Sequence, residues 1–79
     1  MNLTPSQTIL YNILQDGMPH HKSELLAALD PEGMMENSTF HWHLSKLREK
    51  IRPGGHDIIC QLIHRQHKYR IVRTISHVD

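Results

Sequence analysis

The sequence predicts an α+β fold, three helices followed by a C-terminal β-hairpin, and three observations predict it. Residues 37–51, NSTFHWHLSKLREKI, repeat apolar side chains at Phe40, Leu44, Leu47 and Ile51, spacings of 4, 3 and 4 that form one stripe of a helix. Two shorter stretches ahead of it carry helical periodicity behind capping residues. Behind it, after Pro53-Gly54-Gly55, two β-branched runs flank a polar stretch, as in a hairpin.

The first helix starts at Thr4, a cap whose hydroxyl can accept from the first turn, with Pro5 where no N–H is needed. Ile9, Leu10, Ile13 and Leu14 supply its core face, with Tyr11 towards the flank, and Gly17 and Pro19 end it. Met18 to His20 reads as a short extended link, suited to a sheet edge. The second helix covers Lys22 to Leu29, capped by His21 with Glu24 reaching back as in a capping box, or else by Ser23. Leu25, Leu26 and Leu29 are its core residues, and Asp30-Pro31-Glu32-Gly33 is turn chemistry. Asn37 is the expected cap of the third helix, which Pro53-Gly54-Gly55 stops.

Residues 57–63 and 69–73 are the two strands. No Gly or Asn marks their turn, so its type is open; a tip on Gln66-His67 would set Leu62 opposite Ile71 and His64 opposite Tyr69. Residues 1–73 are expected to form one domain and 74–79 a frayed tail.

Seventy-nine residues hide only a little over ~60 % of their unfolded surface, so every apolar stripe has to be used. No apolar run is long enough for a membrane span, and no leader resembles a signal peptide. Cys60 is alone, cannot form an internal disulfide, and is expected to be a buried structural thiol in a reducing, cytoplasmic setting. The net charge of +1 conceals a division. Residues 1–37 hold one base and five acids (−4), whereas residues 38–79 hold eight bases and three acids (+5). That division suits a protein with one face on phosphate, although a solvated surface with chance clustering would also produce it.

Three helices and a hairpin, the third helix polar on its outer side, is the order of a winged helix-turn-helix. Leu3-Thr4-Pro5, then Ser38 to Ile51 (STFHWHLSKLREKI), then Tyr69-Arg70-Ile71 resemble the DNA-binding effector domains of OmpR/PhoB-type response regulators. In that family the helix runs T-V-x-V-H-I-x-x-L-R-x-K-L and the hairpin ends in G-Y-R-L/F. The resemblance covers nearly the whole chain and is most specific at the helix. It implies that Ser38, Trp42, His43, Ser45, Lys46 and Arg48 meet the major groove or its phosphates. It also implies that Gln66, His67 and Lys68, at the wing tip (64–68), meet the minor groove. The family's wing glycines are replaced here by Gln66 and Lys68, and neither a receiver domain nor the family's N-terminal sheet has room before Leu3, so phosphorylation control is not expected. Small stand-alone proteins of this design point to a phage or bacterial source.

The residue chemistry agrees with that expectation. A major groove accepts a helix and distinguishes all base pairs, and Lys46 is the best placed for guanine O6/N7. His43 and Ser45 can donate to bases or phosphates, and Thr39 and Lys50 extend the polar surface. Trp42 either packs on a thymine methyl or sugar, or caps the small core. The first-turn amides from Ser38 to Phe40 offer a phosphate site. Arg65, Lys68, Arg70 and Arg73 would hold the backbone and set register. Tyr69 reads as a core or edge residue.

Eight histidines do not assemble a metal site, since His41 and His43 diverge on a helix and four ligands are not found. Cys60 has no placed base, so no enzyme, cofactor or metal is expected. The expected function is sequence-specific double-stranded DNA binding by a small nucleoid-associated transcriptional regulator. One domain reads about 3–5 base pairs, which makes room for a homodimer on repeated half-sites. The alternative is a protein adaptor, binding RNA polymerase or another partner through Trp42, Met34 and Met35.

Overall fold

Helix α1 (Pro5–Leu14) opens with a complete capping box: Gln7 N–H donates to Thr4 Oγ1 (3.2 Å) and Gln7 Oε1 accepts from Thr4 N–H (3.0 Å). The structure, a computed structural model, describes residues 2–74. The buried stripe of α1 is Gln7, Leu10 and Leu14, at spacings of three and four. Ile9 lies off that line and is exposed, contrary to its expected core position. Tyr11 and Ile13 pack on the margin of the core.

The chain turns through Gly17 (φ +75°) into the two-residue strand β1 (His20–His21), then helix α2 (Lys22–Leu29). His21 is the cap of α2 by position, but its side chain makes no capping bond. The expected capping box is absent because Glu24 Oε2 instead bonds His20 Nδ1 (2.8 Å). In the loop after α2, the Asp30 carboxylate accepts from the Met35 N–H.

Helix α3 (Asn37–Ile51) buries Phe40, Leu44, Leu47 and Ile51, as its spacing requires. Asn37 is not its cap. The capping position is Glu36, with no side-chain bond, and Asn37 lies one residue inside, where its Oδ1 accepts from Lys22 Nζ. A tertiary partner has displaced the local one. The Pro53-Gly54-Gly55 stop works through one 3-10 turn (Arg52–Gly54) before Gly55 takes the left-handed conformation (φ +83°).

Strands β2 (His56–Ile63) and β3 (Gln66–Arg73) form an antiparallel hairpin, and β1 adds to the far edge of β3, giving the order β1-β3-β2. The observed pairs include Ile58 with Ile71, Cys60 with Tyr69, and Leu62 with His67. The expected pairing of Leu62 with Ile71 and His64 with Tyr69 is therefore incorrect. The tip is His64-Arg65, both in the left-handed region (φ +51° and +64°), a two-residue turn whose twist matches the strands. Burial decides the register: Ile58, Tyr69 and Ile71 all face the helices and are buried. Sliding to the expected register would carry Ile58 away from its partner in the core.

Three helices and a hairpin wing thus enclose one core, the architecture of a winged helix. Phe40 meets the Tyr69 ring edge-on (5.9 Å between centroids), joining α3 to β3. The Arg48 guanidinium bonds both Asp57 oxygens (2.8 and 3.3 Å), joining α3 to β2. That bond, first among its causes, holds the Asp57 carboxyl below the usual carboxylate range and raises Arg48. Thr74 N–H bonds Gly55 C=O (2.8 Å), while the rest of the expected tail lies outside the described residues. No described helix is long and apolar enough to cross a membrane.

His20 joins three segments. Its Nε2 reaches Asp16 (2.9 and 3.0 Å) just past α1, and its Nδ1 reaches Glu24 on α2. Carboxylates only accept, so both ring nitrogens donate and the imidazole is charged. Partial burial pushes the His20 pKa down, but the hydrogen bonds to Asp16 and Glu24 and their charges outweigh it and raise it. The bond from His20, then that from the Met18 N–H, lowers Asp16.

Two expectations follow for stability. The raised His20 contributes fully below its unfolded pKa of about 6.5, and the contribution disappears as pH rises through the folded value. The lowered Asp16 loses its contribution as pH falls through its folded value. Urea unfolding across pH should therefore give a wild-type advantage over H20Q that is largest near pH ~5–6 and shrinks towards alkaline pH. A difference independent of pH would contradict the charged bridge. For the wing, replacing His64-Arg65 with Asn-Gly should stabilise the fold by about 1 kcal/mol, by relieving two left-handed side-chain-bearing residues. A lower urea midpoint would show that the turn is not of this type.

Candidate nucleic-acid interface

At about 100° per residue, the side of α3 opposite its buried stripe carries Ser38, Trp42, Ser45 and Glu49, with His41 and Lys46 beside them. Ser38, His41, Trp42, Ser45 and Glu49 are exposed and Lys46 is half-buried, with His41 and Ser45 bordering the hairpin. Trp42 is 54 % exposed, which settles its position outside the core. Lys46 Nζ lies 5.7 Å from the Trp42 ring centroid and 3.5 Å from Glu49 Oε2. A cation over an indole, with a carboxylate behind it, is held in place yet still solvated.

The remaining helix residues divide between the two flanks. Arg48 faces β2 and is committed to Asp57, which Arg52 Nε also approaches (3.7 Å). Lys50 faces α1, where its Nζ donates to Gln7 Oε1 (2.7 Å). Lys50, one turn beyond Lys46, thus turns its ammonium away from Ser45 and towards α1. His43 is half-buried against the edge of Trp42 (5.3 Å), with Nδ1 buried and unpartnered among the described residues. Thr39 is exposed on the Lys50 side. The first turn of α3 has no side-chain cap and no acid, leaving its amides open to an anion, although Glu36 immediately precedes them.

The wing also presents two faces, because strand side chains alternate. His67 lies on the face that continues the core side, with Cys60 and Leu62. Lys68 and Arg70 lie on the opposite face, across from Gln61 and Ile59. Arg65 and Gln66 are exposed at the tip, and Arg73 is exposed at the far end of β3.

Between α3 and the hairpin runs a cleft of about 310 Å³ lined by His41, Ser45, Arg48, Cys60 and Tyr69. Cys60 is exposed there, not buried as expected, with Sγ 3.6 Å from His67 Nδ1. The reason is position in the sheet: Cys60 and Leu62 share the face of Ile58, but β2 is an outer strand, and at the level of Cys60 the helices cover its partner Tyr69 on the central strand and leave Cys60 open to the cleft. Leu62 is 67 % exposed. Burial and the neighbouring Cys60 raise the Tyr69 phenol pKa. Cys60 and Leu62 are the members of this surface that sequence reasoning missed, while His41 is exposed on α3 as its place off the apolar stripe requires. Alternation along residues 58–62 puts both on the face of Ile58, but nothing local signals that the helices stop short of them.

Electrostatically the face is mildly positive at most. Of the cations on α3 and just after it, only Lys46 stands on the outer face, and it shares its charge with Glu49. The wing tip contributes Arg65. Among the described residues no three His, Cys, Asp or Glu side chains stand together to hold a metal ion. Comparison with models of known protein families, with curated proteins and with solved structures found no match to this chain.

Proposed function

We propose that the chain is a sequence-specific double-stranded DNA-binding protein, acting as a small transcriptional regulator. The observation that carries this reading is the exposed outer face of α3, where Ser38, Trp42, Ser45 and Lys46 project beside a hairpin that presents Arg65 at its tip and Gln66 and His67, expected at the tip, at the start of β3. A helix about 10–12 Å across fits a major groove about 12 Å wide, and donors on its outer side meet base edges. The wing then lies along the adjacent backbone or minor groove, with Arg65 leading. The likeness of residues 38–51 and 69–71 to OmpR/PhoB-type effector domains supports the same docking. One such domain reads about 3–5 base pairs, so two copies on repeated half-sites would supply the specificity of a regulator.

A second reading has its own observation. Met34, Leu62 and Trp42 are 79 %, 67 % and 54 % exposed, and large apolar side chains in the open favour a protein partner. Met35, expected beside them, packs on the core and drops out of that surface.

Selection from a random duplex pool should return a motif. Its affinity should fall with salt at a log–log slope of roughly −0.9 per phosphate contacted. K46A should relax preference at one base pair, at about 1–3 kcal/mol, whereas R65A should weaken all sequences alike and flatten the salt slope by about 1. No enriched motif, together with W42A abolishing capture of a protein partner, would establish the adaptor instead.

A further inference from the structure

The Lys50 flank of α3 borders a second cavity, of about 680 Å³, between the end of that helix, α1 and the Arg52–Gly54 turn. Its walls are largely apolar: the Tyr11 ring, Ile51 and Pro53, with Gly54 leaving one part bare of any side chain. Lys50 and His56 are the titratable groups that reach it besides Tyr11. An ammonium has three donors. Lys50 uses one on the neutral amide of Gln7, and no carboxylate among the described residues pairs with it. Gln7 belongs to the first turn of α1, whose end adds positive potential, while the C-terminal carbonyls of α3 at Lys50 and Ile51 oppose it, so the anion preference rests on the Lys50 ammonium itself. An apolar recess edged by one cation that no carboxylate among the described residues pairs with is therefore complementary to a molecule with an apolar body and a single negative charge.

We infer that this cavity binds a small amphiphilic carboxylate, an aromatic or short-chain aliphatic acid whose apolar body lies on Tyr11, Ile51 and Pro53 and whose carboxylate meets Lys50. The volume is within the usual range of small-molecule sites, about 300–1,000 Å³. Lys50 stands one turn beyond Lys46 on α3 but turns its ammonium to α1, away from Ser45, and the inference stands whether or not the outer face binds DNA.

The test is a titration of the whole chain with 3-phenylpropanoate, followed by amide chemical shifts, with 3-phenylpropanamide as the uncharged counterpart. Saturable shifts centred on Tyr11, Gly54, Gly55 and His56 are expected, with the uncharged counterpart and the K50M variant each weaker by roughly tenfold or more. Should K50M lose its fold, G54L decides. A Cβ at Gly54 would meet only His56 Nδ1 at 3.9 Å, so the larger side chain can enter the cavity, and it should abolish the shifts while leaving Lys50 intact. No saturation at millimolar ligand, equal binding of acid and amide, or shifts gathered elsewhere would each overturn the site.

Discussion

Docking of one helix constrains everything else in this molecule. Phe40, Leu44, Leu47 and Ile51 of α3 are all nearly or fully buried, and the core residues of α1, α2 and the sheet close around them. A chain of 79 residues has little apolar surface to spare, and its core is a single cluster. Truncating any of the four would cost several kcal/mol, a large share of the stability of a domain this small. Because the stripe occupies only one side of the helix, burying it leaves the opposite side outward. The exposed polar surface is thus a geometric consequence of the core.

Polar bonds then fix the helix in azimuth and height. Arg48 reaches Asp57 on β2, Lys50 reaches Gln7 on α1, and Lys22 of α2 reaches Asn37 at the helix start. Three basic side chains are thereby committed to internal partners. A count of lysines and arginines overstates the charge this face can offer to a phosphate backbone, which is why Lys46 and the wing tip matter more than the total. The same commitments divide the helix into separate surfaces. The outer face is open and mixed polar and aromatic, one flank adjoins the cleft under the wing, and the other flank borders the apolar cavity beside Tyr11.

The hairpin extends this logic beyond the core. Its base is held by Ile58, Tyr69 and Ile71, and its two-residue turn by geometry alone, since neither His64 nor Arg65 favours a left-handed backbone. The face of β2 that buries Ile58 continues through Cys60 and Leu62, which stay open because β2 is an outer strand and the helices cover the central strand instead. The wing therefore carries a thiol and an apolar side chain in the open, although both stand on the face of the sheet that faces the core.

How much was legible in advance follows from the range of each interaction. Helical period, the Thr4–Pro5 start and the glycine stops act within a few residues, and the element order, the span of α2 and α3 and the stripe of α3 were readable from them. Choices between competing partners were not. Asn37 could have capped its own helix but bonds Lys22, and Glu24 could have closed a capping box but bonds His20. The hairpin register awaited the core that Ile58 and Ile71 share, and whether Arg48 or Lys50 faced outward awaited the positions of Asp57 and Gln7. A sequence by itself determines which side chains need burial and at what period. Only the folded chain decides which distant group meets each polar side chain, because that depends on distances across space that no local pattern encodes.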